Sequence, residues 1–132
     1  VAEVKGLSPD AEIETNTQGG KQSAVGYAFH LLPVNAMFGL AGVLKEGLVK
    51  YDRDNWRKIS AEEHINHMIG HALGIMAGDT SDDHFGHMLC RAAMAYECQS
   101  AGNMWEDGHP PPFLSAKEEP ATGQIIPQPS KR

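Results

Sequence analysis

From Pro33 onward the apolar residues recur at helical spacing. Met37, Ala41, Leu44, Leu48 and Tyr51 step by three or four residues, which predicts an amphipathic first helix that fades in the polar segment 52–58. Ser60 followed three positions later by Glu63 reads as a capping box, with the serine hydroxyl covering one free N–H of the next helix and the glutamate reaching back to another. The second helix then carries Ile65, Met68, Ile69, Ala72 and Met76 on its apolar stripe, and Gly78 suits its end because glycine tolerates a left-handed conformation. The turn 79–82 is short, so the next helix must return antiparallel. That third helix is expected from about Asp83 to Ser100, with Phe85, Leu89, Ala92 and Tyr96 on its apolar side and Gly102 just beyond its end. The predicted fold class is all-α, a bundle built on a helical hairpin.

The flanks lack this pattern. Residues 1–33 hold Pro9, Pro33 and a run rich in Thr, Asn, Gln and Gly from Thr15 to Gly20, and are assigned mainly to loop. The helical domain occupies 34–107. From 108 to 132 the run HPPPF and then Pro120, Pro127 and Pro129 suit an extended, polyproline-like tail. Disorder is the plain reading of that tail; the alternative is that Phe113 and Leu114 anchor it on a neighbouring subunit. Three helices give a thin core, and a helical hairpin often completes a four-helix arrangement with its own copy. A homodimer or homotetramer is therefore expected.

Composition narrows the function classes. A chain of 132 residues is the size of one domain. Its formal net charge of -6 argues against nucleic-acid binding, which needs clustered Lys and Arg to displace counterions. A phosphorylated ligand escorted by a metal ion is compatible with that charge. The cysteines, Cys90 and Cys98, fall in a helical apolar pattern and read as core thiols, not as a disulfide or a zinc motif. No apolar run approaches the ~20 residues that cross a bilayer, and no signal segment opens the chain. A cytoplasmic protein without a membrane partner is expected, in the host cytoplasm for a phage-encoded chain.

Chemistry concentrates in the hairpin. Five histidines, His64, His67, His71, His84 and His87, fall within 24 residues. An offset of twenty residues aligns Glu63, His64, His67, Met68 and His71 with Asp83, His84, His87, Met88 and Arg91. Positions i, i+3 and i+7 share one helical stripe, so two polar stripes should face each other, with His71 level with His87 and His67 level with Arg91. A lone histidine near a core is usually a hydrogen-bonded structural side chain. Five are better explained by a shared ion, because burying so many imidazoles otherwise leaves polar atoms unsatisfied. Imidazole suits Mn, Co, Ni, Zn and Fe, whereas Mg prefers oxygen.

The segment Glu14–Ser23 adds a second element. Gly19 and Gly20 would let backbone N–H groups approach an anion, and Lys21 would supply a point charge, together a phosphate cradle opened by Asn16. A flexible surface turn is the plain alternative. Arg91 is a further phosphate ligand or else the partner of an acid such as Glu63. Lys50, Asn55 and Trp56 either stack on and hydrogen-bond a base or belong to an interhelix loop with a tucked indole.

The strings ETNTQGGKQS, KYDRDNWRK, HINHMIGHALGIMAGD and HFGHMLCRA resemble the small phage-encoded dATP/dGTP diphosphohydrolases, which are related to the all-α MazG and HisE nucleoside triphosphate pyrophosphohydrolases. The likeness covers about residues 13 to 98, and four ordered segments are far more specific than one. MazG-type enzymes hold Mg or Mn with carboxylates in the patterns EExxE and ExxD, where this chain offers Glu63, His64, His67 and His71, then Asp83, His84 and His87. Counting outward from the turn favours His67, His71 and His87 as ligands. Matching motif letters favours Glu63, His67, Asp83 and His87. With His84 added, both readings stay open.

The resemblance implies hydrolysis of a purine deoxynucleoside triphosphate, dGTP first and GTP or dATP as alternatives, to the monophosphate and pyrophosphate. A divalent metal, Mn or Mg with Co, Ni or Zn as substitutes, would activate water. Glu63 is the candidate base, while Lys21 and Arg91 would offset charge on the leaving pyrophosphate. The rival reading is a non-catalytic metal- or haem-binding bundle, which has no use for a glycine-lysine loop. An HD-type phosphohydrolase is disfavoured because the order here is Asp83 and then His84.

Overall fold

A computed structural model describes residues 6–110 and divides the chain into two compact units, Val1–Met37 and Phe38–Arg132. The tail with Phe113, Leu114, Pro120, Pro127 and Pro129 lies outside the described residues. In the first unit a two-stranded antiparallel hairpin pairs β1 (Ile13–Thr15) with β2 (Lys21–Ser23), Glu14 opposite Gln22. Most of the described part of 1–33 is loop, as expected, and this short hairpin is the addition. All six strand residues are exposed, so no alternation of apolar and polar positions marked them as strands.

The remainder of the described chain is helical, and none of its helices is long and apolar enough to cross a membrane. The helices are α1 (Val34–Gly47), α2 (Ala61–Met76) and α3 (His84–Ser100), with short 3-10 turns at Asn55–Lys58 and Glu106–Gly108. The expected boundaries hold to within a few residues, the first helix ending before Leu48 and Tyr51.

The ends of the hairpin follow from capping chemistry. Ser60 Oγ accepts from Glu63 N–H at 3.2 Å, as expected, but the carboxylate of Glu63 lies 4.0 Å from His67 Nε2 instead of reaching back. Glu62 takes part instead, accepting from Glu106 N–H at 2.9 Å, while Ser60 Oγ–H donates to Glu106 Oε1 at 3.0 Å. The first-turn amides of Ala61 and Glu62 donate to the carbonyls of Asn103 and Met104, both at 2.9 Å. The segment after α3 thus straps the start of α2 and satisfies donors that a helix leaves free. At the other end Gly78, with φ +81°, donates to Ile75 O, and Asp79 N–H donates to Gly74 O, each at 3.0 Å. This pair of bonds is a Schellman motif, and it turns the chain into α3. Asp83 caps α3 by accepting from Gly86 N–H at 3.0 Å.

The seam between α2 and α3 differs from the sequence expectation. Buried positions are Ala61 and His64 on α2 and Gly86, Cys90, Ala95 and Cys98 on α3. Both thiols are free and buried, as expected of core cysteines, and burial pushes both up from the usual thiol pKa. The large members of the predicted apolar stripes, Ile69 and Met76 on α2 and Phe85 and Tyr96 on α3, are exposed instead. α1 buries no residue at all. Small and polar residues hold the most deeply buried positions of the seam; Ile65, Met68 and Leu89 are half-buried, and Ile69, Met76, Phe85 and Tyr96 face outward.

His64 is fully buried, at 0 % relative exposure. Its Nε2–H donates to Trp56 O at 3.0 Å and its Nδ1 accepts from Arg91 Nη1 at 3.1 Å. The ring therefore joins α2, α3 and the 55–58 turn, and both of its nitrogens are occupied. The Arg91 side chain reaches across the seam to His64. Burial is the main force lowering the His64 pKa from 6.5, opposed by the bond to the Trp56 carbonyl and reinforced by the positive charge of Arg91.

Two measurements check these points. Gly78→Ala forces a side chain into the left-handed region and should cost about 1 kcal/mol in urea unfolding; an unchanged midpoint would contradict the cap. Because His64 is depressed, its stabilising contribution is complete above its unfolded pKa of 6.5 and is lost as pH falls from there through the lower folded-state value. His64→Gln keeps a donor and an acceptor without titrating, so the stability lost between about pH 7 and pH 5 should shrink. An acid limb as steep as the parent's would count against this role.

Candidate metal centre and adjoining cleft

Near the turn, one ligand atom from each of His71, Asp82 and His87 lies within 4.8 Å of the other two. His71 comes from α2, Asp82 from the turn and His87 from the first turn of α3. The antiparallel return makes His71 level with His87, as expected: their ring centroids are 5.2 Å apart. His87 Nε2 and Asp82 Oδ1 stand 3.8 Å apart, beyond hydrogen-bond reach, so neither satisfies the other. Two imidazoles and one carboxylate with unused lone pairs fit the donor set of a divalent transition ion that keeps open positions for water or substrate. Burial, followed by the neighbouring His87 and His84, lowers the His71 pKa and so favours the neutral form that binds metal.

The five sequence candidates for this centre separate. His71 and His87 belong to the cluster. His84 Nδ1 faces His71 Nδ1 at 3.0 Å, and its Nε2 is bonded to Asp79, so both of its nitrogens are engaged. Glu63 and His67 pair with each other on the solvent side of α2, both about half exposed. Asp83, from the letter-matching alternative, is engaged in capping Gly86. Asp82 and Asp79 were missed because both lie in the interhelix turn, where acidic residues read as turn formers, and neither falls at helical spacing from its histidine. The signal that could have found Asp82 is its place in the tight connection between two histidine-bearing helices.

Beside the centre lies a cleft of about 800 Å³. Its lining includes His87 and Arg91 from α3, His64 from α2 and Lys50, Asn55 and Trp56 from the α1–α2 connection. Four of the expected substrate contacts are thereby brought together. Trp56 is nonetheless tucked: its ring packs against the Ala61, Ala95 and Cys98 cluster, and the Arg57 guanidinium lies 4.3 Å from the ring centroid. Arg57 is itself tied to Asp54 at 3.3 Å and Glu97 at 3.6 Å. Arg91 finds its partner in an imidazole and not in the acid considered from sequence.

The remaining candidates, Asn16, Gly19, Gly20 and Lys21, sit in the hairpin of the first unit. Asn16 Oδ1 accepts from the amides of Gln18 and Gly20, both at 2.9 Å, and Asn16 O accepts from Gly19 N–H at 3.1 Å. This corrects the expectation of exposed N–H groups in a phosphate cradle. The loop folds its amides onto its own asparagine, the ordinary behaviour of an Asx turn. Lys21 begins β2 opposite Thr15 and is exposed.

No curated protein and no solved structure matches the chain. The family model described as dATP/dGTP diphosphohydrolase, N-terminal, matches residues 16–108, a span that includes the hairpin loop, the cleft and every member of the histidine centre, and the chain belongs to that family.

Proposed function

We propose that the chain hydrolyses a purine deoxynucleoside triphosphate, dGTP first, to the monophosphate and pyrophosphate, using a divalent ion held by His71, Asp82 and His87. The observation that carries this reading is the double membership of His87, which stands both in the three-donor cluster and in the lining of the cleft with Lys50 and Arg91. A bound divalent ion would supply a water of lowered pKa and neutralise phosphate charge.

The chain's own residues do the rest. Arg91 presents a guanidinium to the phosphates from a fixed position, since His64 accepts one of its N–H bonds and is itself immobile in the seam. Lys50 adds a second cation to the lining of the cleft, and Asn55 offers an amide for base or sugar. Glu63, the candidate base from sequence, lies outside both the cluster and the cleft lining and is not assigned that role.

Exposed apolar side chains support the homo-oligomer. Ile69, Leu73 and Met76 on α2 and Phe85 and Tyr96 on α3 are each more than half exposed. We assign a second copy of the chain as their cover, as a homodimer or homotetramer.

Purified protein given dGTP and Mn(II) should release dGMP and pyrophosphate; intact triphosphate after long incubation with Mn, Mg, Co and Zn would sink the assignment. Arg91→Ala should lower kcat on the order of 100-fold, and Arg91→Lys should recover only part of it because lysine cannot form the bidentate contact. Light scattering behind size exclusion should give a multiple of 14.3 kDa. A monomer at every concentration tested would remove the second copy from the picture.

A further inference from the structure

Two polar groups beside the centre have no part in the reaction as proposed. His84 is 14 % exposed in its side chain and lies between α2 and the turn, where a Cβ at Gly74 would stand 2.9 Å from its ring. Only a glycine in α2 leaves room for that imidazole. His84 Nε2 bonds to Asp79 Oδ2, and Asp79 is held in turn by Ser81, whose Oγ–H donates to the same carboxylate at 2.9 Å. On its other side His84 Nδ1 meets His71 Nδ1 at 3.0 Å.

Two nitrogens at that distance need one proton between them. An ionised carboxylate only accepts, so Asp79 requires the proton of His84 on Nε2. A neutral His84 then has a bare Nδ1, which can only accept, and the proton between the rings belongs to His71 Nδ1. That leaves the lone pair of His71 on Nε2. The opposite polarity, with His84 doubly protonated and donating, would put the remaining proton of a neutral His71 on Nε2 and leave no nitrogen for a metal.

We propose that Asp79 and His84 are positioning residues, a carboxylate–imidazole pair that fixes His71 as its Nδ1–H tautomer and keeps Nε2 available for a divalent cation. The inference rests on the assignment of His71 to the metal centre. Groups that orient a ligating histidine in this way typically change metal affinity 10- to 100-fold when removed. The arrangement costs the protein a side chain at position 74 and commits the Asp79–Ser81 turn to holding one carboxylate.

The test uses the full chain without metal and then with Co(II). In the metal-free protein, at a pH where the imidazoles are neutral, long-range nitrogen–proton spectra should show His71 with a protonated Nδ1 and a bare Nε2. His84→Phe keeps a ring against Gly74 but removes the acceptor, and should return His71 towards the Nε2–H form that free imidazole favours. Asp79→Asn should do so in part, and Asp79→Glu should restore the parent pattern. Co(II) titration by calorimetry should show about 10- to 100-fold weaker binding for His84→Phe and Asp79→Asn, at unchanged helix content by circular dichroism. Nε2–H on His71 in the parent, or a tautomer and affinity indifferent to both substitutions, would overturn the proposal. Failure of the parent to bind Co(II) with the Nδ1–H tautomer intact would instead strike the metal assignment and leave the role of the pair standing.

Discussion

A buried imidazole is the constraint on which the second unit depends. His64 must be neutral where it sits, because no water reaches it, and a neutral imidazole has one donor and one acceptor to satisfy. The 55–58 turn supplies the acceptor through Trp56 O, and α3 supplies the donor through Arg91. Each partner is thereby fixed in turn. Trp56 O also receives the Cys98 thiol at 3.6 Å, which ties the far part of α3 to the same turn. Removing either partner would leave a buried nitrogen of His64 unsatisfied, a penalty of about 1–3 kcal/mol. The cleft wall, the guanidinium and the hairpin register are in this sense one object.

The register then decides what meets at the turn. With His64 opposite Arg91, the antiparallel helices carry His71 to His87 and His84 across the seam. Small residues occupy the seam: Cys90 and Ala95 are buried there, Gly74 makes room for the His84 ring and Gly86 for the Asp83 cap, while several large apolar residues face outward. The outward apolar face and the inward polar site are consequences of the same packing choice. A hairpin with leucines in its seam would bury more surface but would hold its helices too far apart for three donors to converge.

Much of this was legible in the sequence. The start and end of the second helix followed from Ser60 and Gly78, whose capping preferences are local, whereas the Asp83 cap of the third was not anticipated. Density and spacing marked the histidines as facing stripes, and His71 opposite His87 came from counting outward from the turn. Three things were not legible. The hairpin β1–β2 is exposed on both faces and so lacks a hydrophobic period. The face of each helix that is buried was misjudged, since periodicity locates an apolar stripe without saying whether it meets the chain's own core or another surface. Asp82 and Asp79 reach their histidines through the turn's backbone path, which no helical wheel describes. The bond between Arg91 and His64 was equally hidden, because the reach of a long side chain across the seam is not a property of spacing.

The division of roles among the five histidines bears on the charge of the centre. His64 is structural, His84 is bonded on both sides, His67 stands half-exposed 4.0 Å from Glu63, and His71 and His87 are the two that meet a carboxylate in the three-donor cluster. With Asp82 their combined charge is a single negative one. A divalent ion held by that set keeps a net positive charge, whereas one held by several carboxylates is neutralised by its own ligands. A triphosphate carries several negative charges, so a centre of imidazoles attracts it more strongly than an all-carboxylate centre would, without help from a strongly basic surface. This reconciles an overall charge of -6 with a polyanionic substrate. Under the proposed function, positive potential is needed only where His87 and Arg91 line the cleft.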